Sequence, residues 1–392
     1  MSKIDYFWQL NYFYLMKILY FYPENPLSTT QGNNARALSL LNYFKSRSIE
    51  IDFVGVASDV FSSKDIKDLE SKNLISKGYL LQEFKRKKNR LKYFFCFSIP
   101  NKIRFRIKSF NRIRFGNQNY FNEILQSNQY DYIVISYAYW AGLVIDNPYT
   151  KKAKLCIDTH DFLTSQFQNV RGFKLGKYFQ KEIELLSYFD KIFVISIEEN
   201  YIFSQFTNKE VTTLSHIIDA DFSLSNDKKE FDLIYVGSEN EHNQLGANWF
   251  FSEVFPLLDP KINILVIGKI CNAIQDFENV TKLKFVDNLN PYYSKSKVAI
   301  CPMLSGTGLK IKVIEALSFG LPVVCNHRGV DGLSNKMDNG CLVTNIPEDF
   351  AKNINLLLTD EEFYLKISDF GKDYFLKNND THTCFKKTDT IF

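Results

Sequence analysis

The sequence contains no run of about 18 apolar residues, so no segment reads as a helix that crosses a bilayer. It also lacks HExxH, P-loop, GxSxG and CxxC patterns, which removes the usual signatures of zinc peptidases, P-loop nucleotide hydrolases, serine hydrolases and thiol redox proteins. The five histidines are scattered, and no Cys/His spacing suits a zinc site. There is no internal repeat and no low-complexity tract. The seven cysteines are odd in number, and several lie in apolar runs such as KLCID, VAICP and PVVCN; they read as reduced, buried thiols of a cytoplasmic protein. The first residues lack a basic front end and a small-residue cleavage site, which argues against a signal peptide. MKILYFYP, beginning at Met16, is a better strand than anything before it, so residues 1–15 read as an upstream extension or as the product of a misassigned start.

What is present is the composition of a soluble globular protein, with 45% hydrophobic and 23% charged residues over 392 positions. That length predicts two domains. The aromatic share, 16%, is large, but in a Lys-, Asn- and Ile-rich background it reads as compositional.

Short β-branched or aromatic runs alternate with amphipathic stretches, the pattern of βαβ units around a parallel sheet. A first series of strands is expected at residues 16–23, 51–58, 130–137, 154–158, 191–196 and 212–217. A second is expected at 231–237, 262–268, 282–286, 297–302, 322–326 and 341–345. Helical patterns at 35–48 and 121–127 fall between the strands of the first. The polar stretch SLSNDKKE separates the two series, giving expected domains 1–222 and 223–392, with the last helix packing back on the first domain.

In open parallel sheets, ligands bind beyond the carboxyl ends of strands. Gly32 follows the first strand, and Gly237 ends the strand FDLIYVG. After KVAICP, the residues Ser305, Gly306, Thr307 and Gly308 form a small turn before a helix expected over Leu309–Phe319. Such a turn, entering a helix N-terminus, presents unpaired N–H groups and a positive dipole to an anion. Lys310 and Lys312 add charge, and Glu315 on the same helix side could accept hydrogen bonds from ribose hydroxyls. The alternative is a tight loop followed by an exposed Lys312–Glu315 pair contributing under ~1 kcal/mol.

The string GTGLKIKVIEALSFGLPVV closely resembles the donor-binding signature of the retaining, group 1 (family four-like) glycosyltransferases of the GT-B fold. The resemblance extends over roughly residues 231–360. It implies an α/β GT-B fold: two Rossmann-like, doubly wound parallel-sheet domains facing a cleft. It implies metal-independent transfer of a sugar from a nucleotide-sugar donor to a glycan or lipid-linked acceptor, in surface polysaccharide or lipopolysaccharide synthesis, with no cofactor. Glu315 would hold the ribose, and the N–H groups around Gly308, Leu309 and Lys310 would meet the diphosphate or sugar. Gly32, Gly237, Gly306, Thr307 and Lys312 complete the implied donor set. Many relatives carry a glutamate at the position of Thr307, and an Arg and a Lys where this chain has Ser238 and Asn243, which leaves Lys310 or Lys312 as the phosphate cation. His160 and Asp161, at the end of the strand KLCID, correspond to the family's catalytic region; there a histidine touches the donor sugar or shields the anomeric carbon through its carbonyl. A sugar-nucleotide epimerase and a catalytically silent binding subunit of the same fold are the rival readings.

Residues 84–122 carry twelve basic residues and no acid, among them Lys85, Arg86, Lys87, Lys88, Arg104 and Arg106. Since the whole chain is only +4, the remainder sums to −8. Phe94, Phe95, Phe97, Phe105, Phe110 and Phe115 are interleaved with these charges. The mixture suits an anionic lipid surface at the inner face of the membrane. A solvated helical face over core phenylalanines is the plainer reading, and nucleic acid is not an expected partner.

Overall fold

The computed structural model describes residues 16–28, 32–84, 88–99, 110–222, 228–306 and 308–392. Residues 1–15, Lys85, Arg86, Lys87, Arg104, Arg106 and Thr307 lie outside the described residues.

The first strand series forms β1 (Lys17–Phe21), β2 (Glu50–Val56), β3 (Lys77–Leu81), β4 (Tyr132–Ser136), β5 (Lys154–Asp158), β6 (Lys191–Val194) and β7 (Glu210–Thr213). They make one sheet in the order β3-β2-β1-β4-β5-β6-β7. The second series forms β8 (Phe231–Val236), β9 (Ile264–Ile267), β10 (Val280–Leu283), β11 (Ser296–Cys301), β12 (Val323–Cys325) and β13 (Cys341–Val343), in the order β10-β9-β8-β11-β12-β13. Every described pairing is parallel. In each sheet the strand order reverses direction once, beside β1 in the first and beside β8 in the second, as in a doubly wound fold.

Near-continuous apolar strands follow from this arrangement, because a parallel sheet is covered on both faces. Ile18 to Phe21 of β1 and Ile264 to Val266 of β9 have no exposed surface. The helix Gly32–Ser46 buries Ala37, Leu40, Leu41 and Phe44, the i, i+3, i+4, i+7 stripe of a core-facing helix. Aromatic rings do much of the packing: Tyr20 lies edge-on to Phe44 and Phe53, with centroids 6.3 and 5.9 Å apart. Each such ring buried in the core contributes about 1.5–3 kcal/mol.

By contact, the described residues form two compact units, 1–156 and 157–392. The sheets themselves part between Thr213 and Phe231. Within the second unit the C-terminal residues return to the strands after residue 157. Lys191 Nζ donates to the Ile391 carbonyl at 2.9 Å, Phe193 meets Phe392, and Asn379 Nδ2 donates to the His216 carbonyl at 2.9 Å. β3 was not anticipated. It is a half-exposed strand with Gly78 in it, whose burial pattern gives little apolar signal.

Candidate functional site

The loops leaving the carboxyl ends of β8 and β11 lie on either side of the reversal in the second sheet, where doubly wound folds bind ligands. Gly237 follows β8. Its N–H donates to the Ile267 carbonyl at 2.9 Å and its carbonyl accepts from Ile270, so this residue shapes the turn and offers no donor to a ligand. The helix Glu241–Trp249 begins just beyond, with Asn240 as its cap, accepting from the Asn243 N–H at 2.8 Å. Gly246, in the same helix, lies against the other loop. A Cβ there would stand 1.6 Å from the Pro302 carbonyl oxygen, so only glycine permits this approach.

The loop after β11 turns at Gly306 and Gly308, with φ of +93° and +76° in the left-handed region. Ser305 Oγ and His242 Nδ1 are 2.8 Å apart and tie this loop to the first. Leu309 packs against the apolar cluster that holds Val313 and Leu317. The following helix runs Ile311–Ser318, two residues later than expected, and Lys310 at its N-cap provides no side-chain acceptor. The N-terminus therefore keeps its positive end. Lys310 is buried, its Nζ donating to the Gly308 carbonyl at 2.6 Å, and burial pulls its pKa down.

Lys312 and Glu315 take different partners, and among the described residues no ion pair joins them. The Lys312 ammonium donates to Asn243 Oδ1 at 2.8 Å and lies 5.4 Å from the centre of the buried Tyr235 ring. Asn243 in turn donates to the Ser238 carbonyl at 2.9 Å. Burial lowers the Lys312 pKa. Glu315 Oε2 accepts the Tyr293 hydroxyl at 3.1 Å. Burial pushes the Glu315 carboxyl up, while the Tyr293 hydrogen bond and the Lys312 charge hold it down. Tyr293 stacks on Phe319, centroids 5.4 Å apart, which fixes its hydroxyl over the helix. The exposed pair expected as the plainer alternative is absent; instead a half-buried cation and a half-buried carboxylate project from one helix, each anchored by a neutral neighbour.

Sequence reasoning treated Ser238 and Asn243 only as departures from a pattern, and missed Tyr293 and His242. The signal for Tyr293 was weak, a tyrosine inside NPYYSKSK, since its partner lies 22 residues away.

A second group lies at the end of β5. His160 has φ +58°, a costly conformation for a residue other than glycine. Its ring has no exposed surface, and Nε2 is 3.2 Å from Asp158 Oδ2. The neighbouring Asp161 carboxyl is pushed up to about 6, chiefly by burial. Glu182 accepts the Leu163 and Thr164 N–H groups, both at 2.8 Å, closing the turn that follows. Gly32, in the first unit, lies within the helix Gly32–Ser46. Among the described residues, no group of three or more His, Cys, Asp or Glu side chains is placed to hold a metal ion, and no helix is long and apolar enough to cross a membrane.

Comparison with known proteins agrees with this picture. Residues 230–360 match the family described as glycosyl transferases group 1. An uncharacterized glycosyltransferase of Haemophilus influenzae is 30% identical over 123 residues, covering 28% of this chain and 34% of that protein, so the match spans about a third of the relative's length. An uncharacterized 44.6 kDa protein in the cps region of Klebsiella pneumoniae is 24% identical over 277 residues, 63% of this chain and 68% of that one. Among solved structures, a mutant of S. aureus TarM in complex with fondaparinux, α-GlcNAc-glycerol and UDP aligns with TM-score 0.68 at 14% identity, over 96% of this chain and 99% of that one. The likeness shows the same fold, GT-B.

Proposed function

We propose, from the match of residues 230–360 to the group 1 glycosyl transferases, that this chain moves a sugar from a nucleotide-sugar donor to a glycan or lipid-linked acceptor. The observation that carries the reading is the pair of anchored groups on the helix Ile311–Ser318. Glu315, held by Tyr293, suits the two hydroxyls of a ribose, and Lys312, held by Asn243, suits a diphosphate at the uncapped helix end. Lys310 lies closer to its own loop and supports that loop's shape as well as its charge.

Because lysines and main-chain N–H groups supply the positive charge, the proposed transfer needs no metal ion to neutralise the leaving diphosphate. The ring of His160 is held against Asp158 with no exposed surface. Its role is therefore better suited to the strained main chain, whose carbonyl could face positive charge developing at the anomeric carbon, than to ring contact with the sugar. Retention of anomeric configuration follows from the family resemblance. The TarM complex makes UDP the first nucleotide to try, and the cps-region relative points to surface polysaccharide synthesis.

A panel of UDP-, GDP- and CMP-sugars tested by thermal shift identifies the donor, since a ligand of the native state raises the melting point by mass action. NMR of the product then reads the anomer. No shift with any nucleotide-sugar, or a product with inverted configuration, would contradict the reading.

A further inference from the structure

The first unit presents an amphipathic helix that the donor site does not use. Arg90–Tyr93 is α-helical and continues as the π-helical turn Phe94–Ser98. One side faces inward: Tyr93 and Phe97 contact each other and both lie against Phe115, at centroid distances of 5.5, 5.4 and 5.7 Å. Lys92 holds the same body through the Phe84 ring, 5.7 Å from its centre. The other side carries Leu91, Phe94 and Phe95, spaced i, i+3, i+4 and exposed by 76%, 51% and 61%. Three large apolar side chains side by side in water are unfavourable unless something covers them.

Cations stand on and beside this helix, while the nearest preceding carboxylate, Glu83, is paired with Arg114. Lys88, Arg90 and Lys92 are all exposed, and the surrounding sequence, residues 84–122, contains no acid. The structure divides the phenylalanines of this segment between the two readings of the sequence. Phe110 and Phe115 are core residues, at 0% and 5% exposure, and among the described phenylalanines of this segment Phe94 and Phe95 are the exposed ones. That division sharpens the surface: an apolar ridge one helix face wide, braced from behind by aromatic packing and rimmed by positive charge. A protein partner would need an acidic rim around an apolar groove, whereas an anionic bilayer surface supplies both features by its construction.

We propose that the helix Arg90–Ser98 docks this chain on anionic lipid, with Leu91, Phe94 and Phe95 entering the headgroup region and Lys88, Arg90 and Lys92 lying among the headgroups. The proposal is independent of the donor-site reading.

Cys96 gives a direct probe. It is exposed on this helix, while Cys156, Cys271, Cys301, Cys325 and Cys384 are buried and Cys341 is partly so. The full chain carrying Cys341→Ser, labelled at Cys96 with a polarity-sensitive fluorophore, is titrated with vesicles of phosphatidylcholine alone or mixed with phosphatidylglycerol. The label should brighten and the protein sediment only with the anionic vesicles, and salt should reverse both. Each cation replaced among Lys88→Ser, Arg90→Ser and Lys92→Ser should weaken partitioning about fivefold, the factor for about 1 kcal/mol per basic residue. Leu91→Ser/Phe94→Ser/Phe95→Ser, all at exposed positions, should melt with the parent and lose insertion. Equal binding to neutral vesicles, no binding to anionic ones, or undiminished binding of the apolar variant would overturn the proposal. So would vesicle indifference combined with salt-sensitive retention of an RNA duplex, which would assign the cations to a nucleic acid.

Discussion

The ammonium of Lys312 and the carboxamide oxygen of Asn243 are 2.8 Å apart, and this hydrogen bond joins the first turn of one helix to the first turn of another 69 residues earlier in the chain. It sets a flexible lysine in one place between the two loops. Where relatives are expected to use charged side chains near Asn243, this chain uses a neutral residue to position a cation from elsewhere.

Lys312→Ala should therefore weaken a nucleoside diphosphate by about tenfold to a hundredfold, the range of a charge-assisted hydrogen bond, and leave the bare nucleoside nearly unaffected. Asn243→Ala should cost less, because the charge remains but its position is lost. The double variant should lose less than the sum of the two. Calorimetric titration of the three variants decides it; additive losses would mean that Asn243 does not act through Lys312.

Tyr293→Phe removes the hydrogen bond that holds the Glu315 carboxyl down. Glu315 already sits above its ordinary value through burial, and without Tyr293 it should rise further. Only the ionised form accepts two ribose hydroxyls, so nucleotide affinity falls as pH drops through the Glu315 pKa. In Tyr293→Phe that fall should begin at a higher pH. Affinity measured against pH for both proteins is the check, and superimposable acid limbs would contradict it.

His160 separates ring from backbone. Asn tolerates the left-handed conformation that His160 adopts at φ +58°, whereas Ala does not. If the carbonyl is the group that acts, His160→Asn should keep more turnover than His160→Ala, with donor KM little changed in either. Equal, near-complete loss in both would assign the function to the imidazole and its Asp158 partner.

The alternation of strands and helices was legible because a parallel sheet buries both faces and writes each strand as a continuous apolar run. β1, β8, β9 and β11 were found for that reason. β3 was not, because KGYLL is half exposed and contains a glycine. β7 and β10 lie about two residues before their expected starts, where polar threonines and lysines blur the pattern. The glycine turn, Lys312 and Glu315 were legible as residue types in order. Their partners were not, since Asn243, Tyr293 and the His242–Ser305 tie depend on which strands become neighbours in the sheet. Burial of the His160 ring was equally hidden, because nothing local indicates that Asp158 turns back toward it.

The most direct test of the account is titration of the parent and Glu315→Ala with the nucleotide-sugar that gives the largest thermal shift. Both proteins should melt within a few degrees of each other, because Glu315 is half-buried and its removal opens no core cavity. The variant should lose at least about tenfold in affinity, the size of a lost hydrogen-bonded charge at a ribose. Unchanged affinity in a well-folded Glu315→Ala protein would contradict the donor site proposed here.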